Sequence, residues 1–314
     1  AAFLSGALLT LSAVLIILYR IVIIAEGTEG IGLYLTMLGT GHATVTECYN
    51  TCFALQGDGA YADAVFLVDG GGGNTILRQL GAAGIDWKQI RTIFVTHKHI
   101  DHLLGIIWLI RVICAGMSRG EYQEPVTIYA HDELISVIRD MSAELLQKKW
   151  TAYMGKQLLL EPVRDGDCKV IFGKPVTFFD ILSVKEKQYG FCMKLDADQT
   201  LTCLGDEPYR ECELPYVKGS TWLLHEAFCL YAEAARFKPY EKHHSTVKEA
   251  CETAQKLHVK NLLLYHTEDS HIRDRKALYT AEGKQYYTGN LFVPDDLERI
   301  CLSAARPQET QLSR

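Results

Sequence analysis

No run of basic residues occurs anywhere in this chain. Its 32 lysines and arginines face 38 aspartates and glutamates, giving a formal net charge of −6. Proteins that grip long nucleic acids advertise a basic face, so contacts with duplex DNA are not expected. A local basic groove in an acidic protein would escape this test. No segment repeats at solenoid periods, which sets aside arrays. Ten cysteines occur without paired spacing: Cys48 and Cys52 have no second pair nearby. Others lie inside apolar patterns, such as Cys203 in Leu201-Thr202-Cys203-Leu204. Dispersed thiols argue against a disulfide framework or zinc knuckle and fit a reducing, cytoplasmic compartment.

Charge is also missing from residues 1–19, and after Arg20 residues 21–25 are apolar again. That length is near a membrane span, and the run lacks the small-residue cleavage site of a secretory signal. Membrane anchoring through residues 1–25 is therefore one reading; a buried helix or an extension foreign to the domain is the other. Glu26-Gly27-Thr28-Glu29-Gly30 reads as a linker. The expected organisation is an apolar segment and linker over 1–30, one domain over 31–301 and a polar tail over 302–314. With 48% hydrophobic and 22% charged residues, the chain can build one full core. The reading admits a homodimer.

The densest chemistry is Thr96-His97-Lys98-His99-Ile100-Asp101-His102. Residues 92–96 are apolar and β-branched, as in a buried strand, and residues 103–115 are apolar enough for a buried helix. The cluster thus lies where open α/β sheets place their chemistry, outside the carboxyl end of a strand. Imidazole with carboxylate suits Zn2+, with Mn2+ or Fe as alternatives. His97 and His99 point to one side of an extended backbone, while Asp101 and His102 lie past the strand and can face a second point. One segment can therefore serve two adjacent ions. Ligand-type residues end three further apolar runs: Asp206 after residues 201–204, His225 and Glu226 after 221–224, and His266 after 261–265. Asp69 ends a run at 64–68 and can buttress the metal loop through hydrogen bonds. His131 reads as a loop histidine, and Thr246 with Glu249 as a capping box for a helix through Leu257.

His-x-His-x-Asp-His, with Gly39-Thr40-Gly41, Asn50-Thr51, Leu67-Val68-Asp69-Gly70, Gly205-Asp206, His225-Glu226-Ala227, His244-Ser245-Thr246 and His266 in that order, resembles the ribonuclease Z branch of the metallo-β-lactamase superfamily. The resemblance runs from about Leu33 to His266. It implies an α/β fold, the four-layer αββα metallo-β-lactamase sandwich. The strand-end placement and the resemblance together give two metals, one on His97, His99 and Asp206, the other on Asp101, His102, Asp206 and His266. A water between them would lose a proton near neutral pH and attack the substrate. The resemblance further implies that Glu226 orients His244, that His244 protonates the leaving oxygen, and that Asp101 helps orient the water. The expected function is a phosphodiesterase acting on RNA or a small nucleotide; a lactone or other ester hydrolase is the alternative. Two features depart from the pattern. Residues 150–180 carry nothing like the Gly/Pro-rich arm with which such enzymes grip transfer RNA. The third histidine expected at a strand end falls on Leu182 or Ser183, so a metal-depleted binding module is a third reading.

Overall fold

The computed structural model describes residues 32–302. The candidate anchor at 1–25 and the tail from 303 onward lie outside the described residues. Apolar runs that alternate or stay continuous become strands, and these sort into two seven-stranded sheets. The first carries β1 (Leu33–Gly39), β2 (Cys52–Gly57), β3 (Val65–Val68), β4 (Ile90–Phe94), β5 (Val126–Ala130) and β6 (Leu158–Pro162) side by side. The second runs from β7 (Cys168–Ile171) through β8 (Lys174–Asp180), β9 (Tyr189–Lys194), β10 (Thr200–Cys203), β11 (Trp222–Glu226) and β12 (Asn261–Tyr265) to β13 (Asn290–Phe292). The chain then returns to the first sheet as β14 (Arg299–Cys301), paired with β1. Residues 158–180, where a transfer-RNA arm would be sought, form β6 to β8 with short turns.

Helices of eight or more residues cover the outer faces. They are α1 (Thr75–Ala82), α2 (Ile100–Ser118), α3 (Asp132–Leu145), α4 (Val247–Lys256) and α5 (Arg275–Gly283). The period of two along each strand divides the core into three layers of side chains. On β4, Ile93 packs with α1, α2 and α3 residues such as Ile76, Ile106 and Leu134, while Phe94 faces the other sheet against Phe178 and Phe191. On β12, Leu263 and Tyr265 point between the sheets, whereas Leu262 and Leu264 pack with Val247, Ala250 and Tyr279 on α4 and α5. Both faces of the central strands are buried, which explains their unbroken apolar runs. The result is the expected αββα sandwich. The apolar length of α2 is that of this core, its buried stripe including Ile106, Leu109, Ile110 and Ile113.

Several local expectations shift. The strand end expected to carry Leu182 or Ser183 comes earlier, at Asp180. Thr246 and Glu249 form their capping box at the start of α4. Leu302, placed in the expected tail, is buried and its N–H reaches the Leu33 carbonyl.

β3 to β6 are parallel to one another, as are β10 to β13. Their carboxyl ends from the two sheets meet along one edge. Backbone hydrogen bonds tie the sheets there, from Tyr189 to the Thr96 carbonyl and from Thr267 to the Thr40 carbonyl. Buried Arg275 adds donors to Thr40, Thr267 and the Pro294 carbonyl. The loop after β3 lies directly on α2: Gly70 donates to the His102 carbonyl and Gly105 to the Gly71 carbonyl. A Cβ on Gly105 would run into the Gly70 carbonyl group. Gly105→Ala should therefore push α2 off its seat and cost about 1–3 kcal/mol. Thermal denaturation should show a lowered Tm, and an unchanged Tm would mean that this contact is slack.

Candidate metal centre

Burial and chemistry work together around the His-x-His-x-Asp-His segment. After β4, the Thr96 N–H and hydroxyl donate to the two carboxylate oxygens of Asp69, each at 2.8 Å. His102 Nδ1 lies 2.7 Å from Asp69 Oδ2. Asp69 is itself buried at the end of β3 with φ of 58°, a backbone state held by its N–H bond to the Phe94 carbonyl. It is the expected buttress: it fixes one face of the His102 ring and aims Nε2 into the cleft. The Thr96 hydroxyl also lies 2.9 Å from His97 Nδ1, which aims His97 Nε2 the same way. His99 precedes the first turn of α2, and Asp101 stands in that turn, where the helix dipole favours a carboxylate.

Asp206 is the common neighbour. It follows β10 through Gly205, whose φ of 79° and close approach to the Gln188 side chain exclude a bulkier residue. The Tyr265 hydroxyl donates to the Gly205 carbonyl. Asp206 Oδ2 lies 3.5 Å from His97 Nε2, 3.8 Å from His102 Nε2 and 3.6 Å from His266 Nε2. Asp101 Oδ2 lies 3.3 Å from His102 Nε2 and 3.6 Å from His266 Nε2. These separations exceed a hydrogen bond, which spans about 2.7–3.2 Å. They match two atoms sharing a tetrahedral ion, about 3.4 Å apart when each is about 2.1 Å from it. His102 Nε2, Asp206 Oδ1 and both ring nitrogens of His266 are buried without a hydrogen-bond partner. Buried polar atoms are normally satisfied, so this set fits cations rather than a closed polar network. Donor atoms gather as His97, His99 and Asp206, as Asp101, His102 and His266, and as Asp206, His244 and His266. The first group has the residues of one expected set; the second has Asp101, His102 and His266 of the other, without Asp206.

The electrostatics agree. Burial pushes His97 and His266 below the ordinary imidazole pKa, leaving neutral rings with ligand lone pairs. For Asp101 and Asp206 burial acts to raise the pKa, but the surrounding histidines outweigh it and hold both carboxyls well below the usual range. His102 is the opposite case. Burial disfavours its charge, yet Asp101 and Asp69 outweigh burial and raise its pKa well above the ordinary value. A dication on Nε2 would take the proton's place before the same carboxylates.

Glu226 ends β11 fully buried and accepts from the Ser245 N–H at 2.5 Å. Its other oxygen lies 3.6 Å from His244 Nδ1, beyond a hydrogen bond, so the two groups are neighbours at the cleft and both atoms are buried without a partner. His244 stacks on Phe228, with ring centroids 5.0 Å apart, and stands 5.0 Å from the His266 ring. His131 caps the start of α3, as a structural loop histidine would.

Leu182 does not occupy a gap in the metal centre. Asp180 accepts the Leu182 N–H, Arg210 takes the Leu182 carbonyl, and the residue turns with φ of 53° and a 59% exposed side chain. Ser183 faces away as well, bonded to Glu207, which Arg210 holds from the other side. The residue of this loop that reaches the cleft is Lys185. Sequence reasoning also missed Lys98, Lys242, Phe228 and His42 as cleft residues. His42 had a signal, since it directly follows the Gly39-Thr40-Gly41 turn at a strand end. Burial, aided by His266 and Lys242, pushes its pKa down to about 4, so it stands neutral at pH 7.

Asp69→Asn tests the buttress. An amide cannot accept from Thr96 and His102 on both atoms, so zinc affinity should fall about 10–100-fold while the fold persists. Competition with a chromophoric chelator measures this; unchanged affinity would leave Asp69 only a packing role.

The geometry can be set beside known proteins. The chain is 25% identical to a ribonuclease Z of Thermococcus sibiricus, over 84% of this chain and 95% of that one. The metallo-β-lactamase fold protein YhfI of Bacillus subtilis superposes with a TM-score of 0.68 at 17% identity, over 86% of this chain and 99% of that one. The human short-form tRNase Z superposes with a TM-score of 0.64 at 20% identity, over 86% of this chain and all of that one. A family model described as Anti-Pycsar protein Apyc1 matches residues 33–286. A match across most of the domain, together with this fold, makes the chain a member of the Anti-Pycsar protein Apyc1 family, on the ribonuclease Z-like branch of the metallo-β-lactamase superfamily.

Proposed function

We propose that this chain is a metal-dependent phosphodiesterase whose substrate is a small nucleotide or a single-stranded nucleic-acid phosphodiester. The observation that carries the reading is Asp206 Oδ2, set between the Nε2 atoms of His97, His102 and His266. His97, His99 and Asp206 would hold one ion, and Asp101, His102, Asp206 and His266 the other. The donor set suits Zn2+, with Mn2+ or Fe as alternatives. When bound, such ions supply Lewis acidity to a phosphoryl oxygen and acidify water.

The chain's own residues supply the rest. Lys98, Lys185 and Lys242 line the cleft mouth; Glu186 answers Lys98 at 2.8 Å, and Lys185 and Lys242 give a protein of net charge −6 a local attraction for phosphate. That lip favours a phosphodiester over a neutral lactone. Glu226 turns His244 Nδ1 towards itself, which leaves Nε2 for the leaving-group oxygen. Phe228, stacked on His244, keeps that ring from swinging. The cleft encloses about 650 Å3, the scale of a pocket for a small ligand. Relatives named ribonuclease Z support phosphodiester hydrolysis as the reaction class.

His102→Ala should reduce turnover of bis-p-nitrophenyl phosphate by at least about 1,000-fold, or 4 kcal/mol of barrier, while the circular dichroism spectrum stays native. A lactone panel assayed in parallel separates the ester-hydrolase alternative. A His102→Ala protein with wild-type rate, or a wild type active only on lactones, would overturn the reading.

A further inference from the structure

A second cluster of donor atoms stands apart from those ligand sets. Glu233, Glu268 and His271 each offer an atom within 4.8 Å of the others. Glu268 is 2% exposed. One of its carboxylate oxygens accepts from the Ser270 N–H at 2.6 Å; the other, Oε1, is buried with no hydrogen-bond partner. Glu233 repeats the pattern. Its Oε1 takes His271 at 3.1 Å and Arg236 at 3.2 Å, while its Oε2 is buried without a partner. Two neighbouring carboxylates, each with one oxygen desolvated and unanswered, are costly. Arg236 is largely exposed and answers only the already bonded oxygen of Glu233.

The geometry points to a further divalent-cation site on Glu233, Glu268 and His271, separate from the metals of the cleft. Two carboxylates and an imidazole suit Zn2+ or Mn2+, with water completing the shell at the half-exposed His271 side. The location gives the ion a task. Glu233 lies on the segment after β11 that carries Phe228, the ring stacked on His244. Glu268 and His271 lie on the segment after β12 that begins with His266. The Glu268 N–H already donates to the Phe228 carbonyl at 2.8 Å. A cation there would clamp the two segments and hold His244 and His266 at their 5.0 Å separation.

The test uses the whole chain, stripped with chelator, reloaded with Mn2+ or Zn2+ and passed through a desalting column before elemental analysis. Wild type should retain about one equivalent more than Glu268→Gln and than His271→Ala, each compared at equal loading. The ion at this site does not depend on the cleft. Asp206→Asn, which takes a shared ligand from both cleft sets, should therefore still show a metal-induced rise in Tm, and adding Glu268→Gln to it should make that rise smaller. His271→Ala changes a partly exposed side chain and keeps the comparison usable should Glu268→Gln fold poorly. Equal metal content in wild type and both variants, or a Tm rise as large in the double variant as in Asp206→Asn alone, would overturn the proposal. Loss of cleft metal alone would bear on the proposed function and leave this site standing.

Discussion

A carboxylate buried among three imidazoles is the constraint on which this structure turns. Asp206 cannot share its Oδ2 with His97, His102 and His266 through hydrogen bonds at 3.5–3.8 Å. A set of buried polar atoms left without partners would destabilise an ordinary domain. Here two sheets hold the cleft open. The four strand ends are anchored by cores on both faces of their strands, and Asp69, Thr96 and Tyr265 lock the ligand loops from behind. The fold's stability is thus applied to keeping donor atoms near Asp206 without letting them pair with it, although His97 Nε2 and His99 Nδ1 lie 2.8 Å apart.

Much of this was legible along the chain because it rests on local pattern. The apolar β-branched run before His97 did become β4, and the apolar stretch after His102 did become the buried α2. Runs ending at Asp206, Glu226 and His266 were recognisable as strands by the same logic. Asp69 as buttress followed from its place at a strand end. The four layers themselves came from resemblance, since periodicity alone supports only mixed α and β.

What stayed hidden depends on contacts across long separations. The resemblance put a strand-end histidine at Leu182 or Ser183, but the strand β8 stops at Asp180. Arg210, 28 positions away from Leu182, instead pulls its carbonyl into a turn and sends the side chain outward. The lysine lip also could not be read from composition: Lys98, Lys185 and Lys242 come from three separate loops in a chain of net negative charge. Their assembly is a property of the folded edge. The pairing of Glu233 with Glu268, from segments after neighbouring parallel strands, was equally invisible in one dimension.

The central claim is that residues from four strand ends share two adjacent cations with Asp206 between them. Anomalous diffraction from crystals soaked in Zn2+ or Mn2+ tests it most directly. The account predicts two strong peaks in the cleft about 3.5–4 Å apart, one beside His97 and His99 and one beside His102 and His266. A map with no peak touching Asp206 after saturation with either metal would contradict it.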